Sequence, residues 1–195
     1  MEKDNYHKSN KYKNNYGFTL VELMVAMSVF IIVMFISMGA ILSIFDANQK
    51  SKNLRSVMDN LNITLESMTR TIRFGSNYHC GTTPPTDQPL DCINGVASDT
   101  LYLKAVDTTQ IKYSLVGGRV AKSVNGATNL YITSADAIVT MLSFRVYGSP
   151  AYNGGTDQFQ PQVIIVISGY VDSKAMTKSS FNLETTVSQR LLDFQ

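Results

Sequence analysis

A single uninterrupted apolar stretch constrains this 195-residue chain more than any other feature of its sequence. The 28 residues from Phe18 to Phe45 contain no Lys, Arg, Asp or Pro, and their only charge is that of Glu22. About 20 helical residues cross the hydrocarbon core of a bilayer, so the stretch predicts a transmembrane helix. An ionised carboxylate inside that core costs roughly 2.5 to 3.5 kcal/mol on insertion scales, which makes Glu22 a functional candidate.

The residues before the apolar stretch carry the whole formal charge of the chain. Residues 1–17 have a net charge of +2, and the 13 basic residues that follow are balanced by 13 acidic ones. Basic flanks stay in the cytoplasm, so we expect a cytoplasmic leader and an extracytoplasmic C-terminal domain. Because the remaining chain is formally neutral, direct binding of nucleic acid is not predicted. The charged residues of the leader are Lys3, Lys8, Lys11 and Lys13 against Glu2 and Asp4.

The residues around the start of the apolar stretch resemble a known processing signal. Gly17 followed by Phe-Thr-Leu-Val-Glu, with a basic leader before it, is similar to the signal of type IV prepilins and of the pseudopilins of type II secretion. The resemblance implies cleavage by a membrane prepilin peptidase between Gly17 and Phe18, followed by N-methylation of Phe18. Glu22 would be the fifth residue of the mature chain, whose carboxylate neutralises the amino terminus of a neighbouring subunit during filament assembly.

The same resemblance implies the partners and the location of the protein. The partners are the prepilin peptidase, other pilins or minor pseudopilins, an assembly platform protein and membrane lipid. The protein is expected to span the membrane once before assembly and to lie in a surface or periplasmic filament afterwards. A leader of 17 residues is longer than that of many family members.

Two other interpretations of the N-terminal region stay open from the sequence alone. A plain signal anchor explains the apolar stretch, with Glu22 lying near the lipid headgroups, and would leave a membrane-anchored binding or adhesion domain that does not polymerise. An ordinary secretory signal has an apolar region of only about 7 to 15 residues. Ser37-Met38-Gly39 nevertheless imitates the cleavage site of such a signal.

The segment after Phe45 predicts that the helix continues. Residues 46–74 contain no Gly or Pro, and their apolar residues recur at spacings of three and four, which is typical of one buried helix face. We therefore expect one helix from Phe18 to Phe74, ended by Gly75 in the left-handed conformation. Gly39 stands where many major pilins carry a Pro, and it permits local unwinding or close helix packing. The stripe consists of Leu54, Met58, Leu61, Leu65, Met68 and Ile72.

Two cysteines, Cys80 and Cys92, lie in a predicted loop region over residues 75–99. Their spacing matches neither a redox nor a zinc motif, and outside the cytoplasm a disulfide is the expected state. Closing so short a loop would stabilise the fold by roughly 3 kcal/mol. Two reduced thiols are the alternative.

Short alternating runs over residues 100–195 predict β-strands. Apolar residues alternate near Leu101, Ile111, Leu142 and Phe181, and Gly117-Gly118 is typical of a two-residue hairpin turn. Residues 130–133 predict a further short strand, 163–167 a central one, and 148–161 a long surface loop. The fold class is therefore α+β, a long N-terminal helix packed on a C-terminal antiparallel β-sheet domain, as in pilins.

Three runs in this half look like the J-type minor pseudopilins and related minor pilins, namely residues 111–120, 144–147 and 185–190. This resemblance implies a low-abundance subunit at the tip of the filament. It rests on the spacing of strands and turns rather than on diagnostic side chains.

Little in the sequence indicates an enzyme. His7 lies in the leader, and His79 is expected in a loop with a surface or packing role. No cofactor is predicted: several aspartates near loops offer possible calcium ligands, but their spacing matches no calcium loop. Tyr147 and Tyr152 flank a Gly-rich segment and suggest an adhesive patch or a simple cover of the sheet. The aspartates are Asp87, Asp91, Asp99 and Asp157.

Overall fold

The computed structural model describes residues 17–150, 159–171 and 178–190. The chain divides into two compact units, Met1–Asp46 and Ala47–Gln195. One α-helix, α1 (Leu20–Phe74), begins in the first unit and ends in the second. It starts two residues later than predicted, because Thr19 is the residue that caps its first turn.

The described residues of the second unit form eight strands in two antiparallel sheets, so the predicted α+β class is confirmed. The alternating pattern predicts one sheet, whereas the described strands form a five-stranded sheet in the order β1-β2-β3-β4-β5 and a three-stranded sheet in the order β6-β7-β8. A short 3-10 helix lies at Ile93–Gly95. The strands are β1 (Ser76–Cys80), β2 (Thr100–Lys104), β3 (Gln110–Val116), β4 (Arg119–Val124), β5 (Leu130–Tyr131), β6 (Ala137–Tyr147), β7 (Gln162–Val171) and β8 (Ser179–Ser188).

The hydrophobic core of the second unit joins the end of α1 to both sheets. Leu61, Met68 and Ile72 of the predicted stripe are fully buried, and Leu54, Met58 and Leu65 pack against the core. Val57 and Thr64, which are not part of the predicted stripe, are also buried on this face. The Thr64 hydroxyl donates to the Ile132 carbonyl at 2.7 Å, which satisfies a buried polar group.

The predicted hairpin and central strand are both confirmed. Gly117 and Gly118 have φ values of 56° and 72°, the positive values that a two-residue primed turn requires, and they join β3 to β4. β7 lies between β6 and β8, with Val163, Ile165 and Ile167 fully buried on one face. The other face of β7 is half-buried.

The helix ends at Phe74 as predicted, but the expected role of Gly75 is wrong. Gly75 does not adopt a positive φ. A Cβ atom there would lie 2.6 Å from Cδ1 of Leu103 and 2.9 Å from the Lys104 carbonyl oxygen. The position therefore needs Gly because β2 passes close to the backbone. The last turn is capped instead by Tyr78, whose hydroxyl lies 2.7 Å from the Ile72 carbonyl and 2.8 Å from that of Gly75.

Candidate functional site

The predicted cleavage site lies in non-helical backbone immediately before α1. Gly17, Phe18 and Thr19 are outside the helix, and Phe18 is 83% exposed. No atom lies within 4 Å of the place where a Cβ would stand on Gly17. Because the Gly17–Phe18 bond is exposed and outside the hydrogen-bonded helix, the fold leaves it accessible to a protease, and a larger residue at position 17 meets no obstacle among the described residues.

Thr19 and Glu22 form the start of the helix. The Thr19 hydroxyl accepts a hydrogen bond from the Glu22 backbone N–H at 3.2 Å, and the Thr19 carbonyl accepts one from Leu23 at 3.2 Å. Thr-x-x-Glu is the pattern of a capping box, a local sequence signal for the start of a helix at this position. It places the Glu22 carboxylate in the first turn, where the helix macrodipole favours a negative charge.

The apolar stretch finds no cover within the described part of the chain. Every residue from Phe18 to Phe45 is exposed, including large side chains such as Phe30, Phe35 and Phe45. By length and composition α1 is the one described helix that could cross a membrane. An exposed apolar surface of this size requires lipid or protein around it, and the helix fits a membrane-anchored pilin-like protein.

Polar groups inside this stretch are satisfied locally. The Ser28 and Ser37 hydroxyls donate to the carbonyls of Val25 and Val33, both at 2.8 Å. The helix continues without interruption through Gly39, and no atom lies within 4 Å of a Cβ built there. The Glu22 carboxylate is different, since it has no ion-pair or hydrogen-bond partner among the described residues.

The two cysteines form a disulfide that joins the two sheets. The Cα atoms of Cys80 and Cys92 are 5.0 Å apart, and the bond closes a sequence separation of 12. Cys80 is the last residue of β1, whereas the N–H of Cys92 donates to the Val146 carbonyl of β6 at 3.2 Å. The predicted bond is therefore present, and it connects β1 to a segment that pairs with β6.

This connecting segment, residues 90–98, pairs with both sheets. On one side, the Leu90 N–H donates to the Tyr78 carbonyl and its own carbonyl accepts from Cys80, both at 2.9 Å. On the other side, Ser98 donates to the Phe144 carbonyl at 2.9 Å and accepts from the Phe144 N–H at 2.6 Å. The region predicted as a loop over residues 75–99 thus contains a strand, β1, and a segment that pairs with β1 and with residues 144–146 of β6.

His79 is buried on β1, so the expectation that it lies in a loop is wrong. It is 2% exposed, and its Nδ1 lies 2.9 Å from the Gln88 carbonyl. Because a carbonyl only accepts, Nδ1 carries the proton, and Nε2 is buried without a hydrogen-bond partner among the described residues. Tyr102 contacts the ring edge-on at a centroid distance of 6.3 Å. This environment agrees with the predicted packing role.

Two of the aspartates considered as possible calcium ligands accept local hydrogen bonds in the structure. The Asp91 carboxylate accepts hydrogen bonds from Gly148 at 3.0 Å and Ser149 at 2.7 Å, and the Asp99 carboxylate accepts one from the Thr100 hydroxyl at 3.0 Å. Within the described ranges, no group of three or more His, Cys, Asp or Glu could hold a metal ion. Asp157 lies outside the described residues.

Of the two tyrosines suggested as an adhesive patch, Tyr147 and Tyr152, the second lies outside the described residues. Tyr147 is 40% exposed, and with Phe159 and Gln162 it lines a cavity of about 280 Å³.

Two buried tyrosines, Tyr78 and Tyr113, have raised hydroxyl pKa values. Burial raises the pKa of the Tyr78 hydroxyl above its ordinary value of 10.0. Burial also raises the pKa of Tyr113, partly opposed by a hydrogen bond with the Thr71 side chain. Both hydroxyls are therefore neutral near pH 7 and act as hydrogen-bonding groups of the core.

Comparison with known protein families matches residues 12–38 to the prokaryotic N-terminal methylation motif. The matched segment contains Gly17, Phe18 and Glu22, and supports a type IV prepilin-like protein. The motif implies processing by prepilin peptidase and assembly with other pilins, and the proteins that carry it are structural rather than enzymatic. Neither the curated proteins nor the solved structures gave a match.

Proposed function

We propose that this chain is a structural subunit of a type IV pilus-like or type II secretion pseudopilus filament. It is made as a prepilin, cleaved between Gly17 and Phe18, and assembled from the membrane. The observation that carries this proposal is the combination of the methylation motif over residues 12–38 with an apolar helix that is exposed from Phe18 to Phe45. Lipid covers those side chains before assembly, and neighbouring helices cover them in the filament.

Cleavage creates a charge that the helix itself cannot accommodate. The new amino group of Phe18 has an ordinary pKa near 8 and is largely cationic at neutral pH. It stands one residue before the Thr19 cap, beside the positive end of the helix macrodipole. Burying this cation between apolar helices without a counter-charge would cost several kcal/mol.

Glu22 can supply the counter-charge. Its carboxylate has no partner among the described residues and lies in the first turn of α1. In the filament, the carboxylate of one subunit would neutralise the Phe18 amino group of the next. Pairing would lower the cost of burying the Phe18 amino group and the cost of burying the Glu22 carboxylate at the same time, and it would do so only on assembly. The pairing therefore favours the filament over the dispersed membrane form.

We infer further that the subunit is a minor one, with its leader in the cytoplasm and its second unit outside. The inference rests on the basic leader and on the resemblance of residues 111–120, 144–147 and 185–190 to J-type minor pseudopilins. These runs fall in the β3–β4 hairpin, in β6 and at the end of β8. A prepilin peptidase, other minor subunits and an assembly platform protein would be its partners.

The test is the ratio of filament-associated to membrane-resident protein at equal expression. Glu22→Val should leave membrane insertion intact, because it removes an acid from lipid, yet reduce the ratio. Glu22→Asp should give a ratio between those of Glu22→Val and the native chain, and Met27→Leu should leave the ratio unchanged.

An unchanged ratio in Glu22→Val would contradict the role of Glu22 in assembly. Loss of the protein from the membrane would show instead that Glu22 acts in insertion. Absence of the native chain from shed filaments would favour a membrane-anchored binding domain that does not polymerise.

A further inference from the structure

The edges of the two sheets differ in whether their backbone groups are paired. The outer edge of β1 is paired with Leu90. The outer edge of β6 is paired with Cys92 and Ser98 near its end, and its Val139 N–H donates to the Gly118 carbonyl. β5, the other edge of the five-stranded sheet, is only two residues long. β8 is ten residues long, and within the described ranges its only strand partner is β7. It is therefore the one long open edge in the described part of the protein.

The hydrogen bonds fix which residues of β8 face this open edge. Ile165 of β7 lies between Phe144 of β6 and Thr185 of β8. Phe144 directs its N–H and C=O to Ser98, away from β7, so Ile165 makes its hydrogen bonds with Thr185. The Gln189 N–H likewise donates to the Pro161 carbonyl at 2.9 Å. Odd-numbered residues of β8 thus pair with β7, and even-numbered residues point their backbone groups outward.

The outward-facing residues form a regular, exposed row. All five are exposed, and none of their backbone N–H groups has a hydrogen-bond partner among the described residues. Along a strand, alternate residues repeat at about 6.8 Å, a spacing that an extended polypeptide matches with its own donors and acceptors. The row consists of Ser180, Asn182, Glu184, Thr186 and Ser188.

β8 also lacks the features that usually prevent pairing at an open edge. Proteins protect such edges with Lys, Pro, bulges or very short strands. Ser179–Ser188 contains no Lys, Arg or Pro, and its register with β7 runs through all ten pairs without a bulge. By contrast, the β6–β7 register shifts between Val139 and Met141.

We propose that β8 is a binding site for an extended, basic segment of another extracytoplasmic protein, which adds to the three-stranded sheet as a fourth strand. Backbone pairing gives the affinity, as in other cases of strand addition. Glu184 is the only charged residue of β8 and has no ion-pair partner in the described ranges. It therefore selects a strand with Lys or Arg at the opposite position. Half-buried Leu183 favours an apolar side chain on the core side of the incoming strand. The inference does not depend on filament formation.

The experiment uses the full chain in detergent micelles and a synthetic peptide of about ten residues. The peptide alternates Val and Thr, carries one central Lys, and is N-methylated along one edge so that it cannot pair with itself. We expect binding by fluorescence anisotropy, with new hydrogen-exchange protection at the amides of Asn182, Glu184 and Thr186. The amides of the odd-numbered residues are already protected by β7 and should not change.

Three variants separate edge pairing from other effects. Thr186→Pro removes an outward N–H without touching the β7 ladder, and should weaken binding at least roughly tenfold, whereas Thr186→Ala should stay within about twofold. Glu184→Lys should reverse the preference, so that a peptide with a central Glu binds better than the Lys peptide.

Three results would overturn the proposal. The first is equal affinity of the native chain and Thr186→Pro, and the second is no binding of the peptide to the native chain. The third is strong protection of the even-numbered amides in the free protein, because that would mean the edge is already covered.

Discussion

Removal of the Cys80–Cys92 bond tests how the two sheets are held together. The change is the double variant Cys80→Ala, Cys92→Ala, compared with the native chain oxidised and reduced. A separation of 12 residues corresponds to a loop-closure contribution of roughly 3 kcal/mol on the chain-entropy model. Both sulfur atoms belong to buried residues, so the alanine variant should lose somewhat more than reduction alone.

The local consequence should be confined to the segment that the bond anchors. The Val146 N–H lies 3.1 Å from the Cys92 sulfur, and the Cys92 N–H donates to the Val146 carbonyl. Hydrogen exchange should therefore accelerate at Val146, Cys92 and Leu90. Within the described ranges no hydrogen bond joins Cys80 or Cys92 to β7 or β8, so exchange in the β7–β8 ladder should accelerate only as far as the global loss of stability requires.

The assay is reversible thermal unfolding of the chain in detergent, monitored by near-ultraviolet circular dichroism. A loss of about 3 kcal/mol corresponds to a midpoint lower by roughly 6 to 12 °C for a unit of this size. Reductant should lower the midpoint of the native chain but leave that of the double variant unchanged. Equal midpoints for oxidised and reduced native protein, or two freely alkylated thiols in protein taken from outside the cytoplasm, would refute the reasoning.

Further predictions concern the end of α1. Gly75→Ala should destabilise the second unit by about 1 to 3 kcal/mol in denaturant unfolding, because its Cβ would meet Leu103, whereas Gly39→Ala, which meets nothing, should not. A destabilised Gly39→Ala variant would contradict this. Tyr78→Phe should cost about 1 to 3 kcal/mol at neutral pH, since the hydroxyl donates to the Ile72 carbonyl. Because burial raises the pKa of Tyr78, the unfolded chain loses its proton first, and stability should fall as pH rises above 10.0. The Phe variant should show a smaller alkaline loss, and an equal loss would contradict the assignment.

The parts of the fold that depend on local periodicity were predictable from the sequence. The stripe through Leu61, Met68 and Ile72 identified the buried helix face, and Gly117-Gly118 identified a hairpin. In each case neighbouring residues carry the whole signal. The methylation motif at Gly17 and Glu22 is likewise a short local pattern.

Features that depend on distant contacts were not predictable in this way. Nothing near Gly75 indicates that Leu103 will pass within 2.6 Å of its missing Cβ. His79 lies in a strand because Leu90 and Tyr102 pair with it on either side, and these residues are 11 and 23 positions further along the chain. The pairing of residues 90–98 with β1 and with β6 likewise joins residues that are distant in the sequence. The Thr19 cap is different, since Thr-x-x-Glu is a local signal from which the start of the helix could be predicted.

The N-terminus of the protein recovered from the cell is the most direct test of the central claim. Intact-mass analysis should give a mature chain that begins at N-methylated Phe18. Gly17→Lys should accumulate as the 195-residue precursor in the membrane. Because no described residue lies within 4 Å of a Cβ at Gly17, that block would reflect the peptidase rather than misfolding. Asn10→Lys adds the same charge without altering the bond and should be processed normally. Recovery of surface filaments that still carry residues 1–17 would contradict the account.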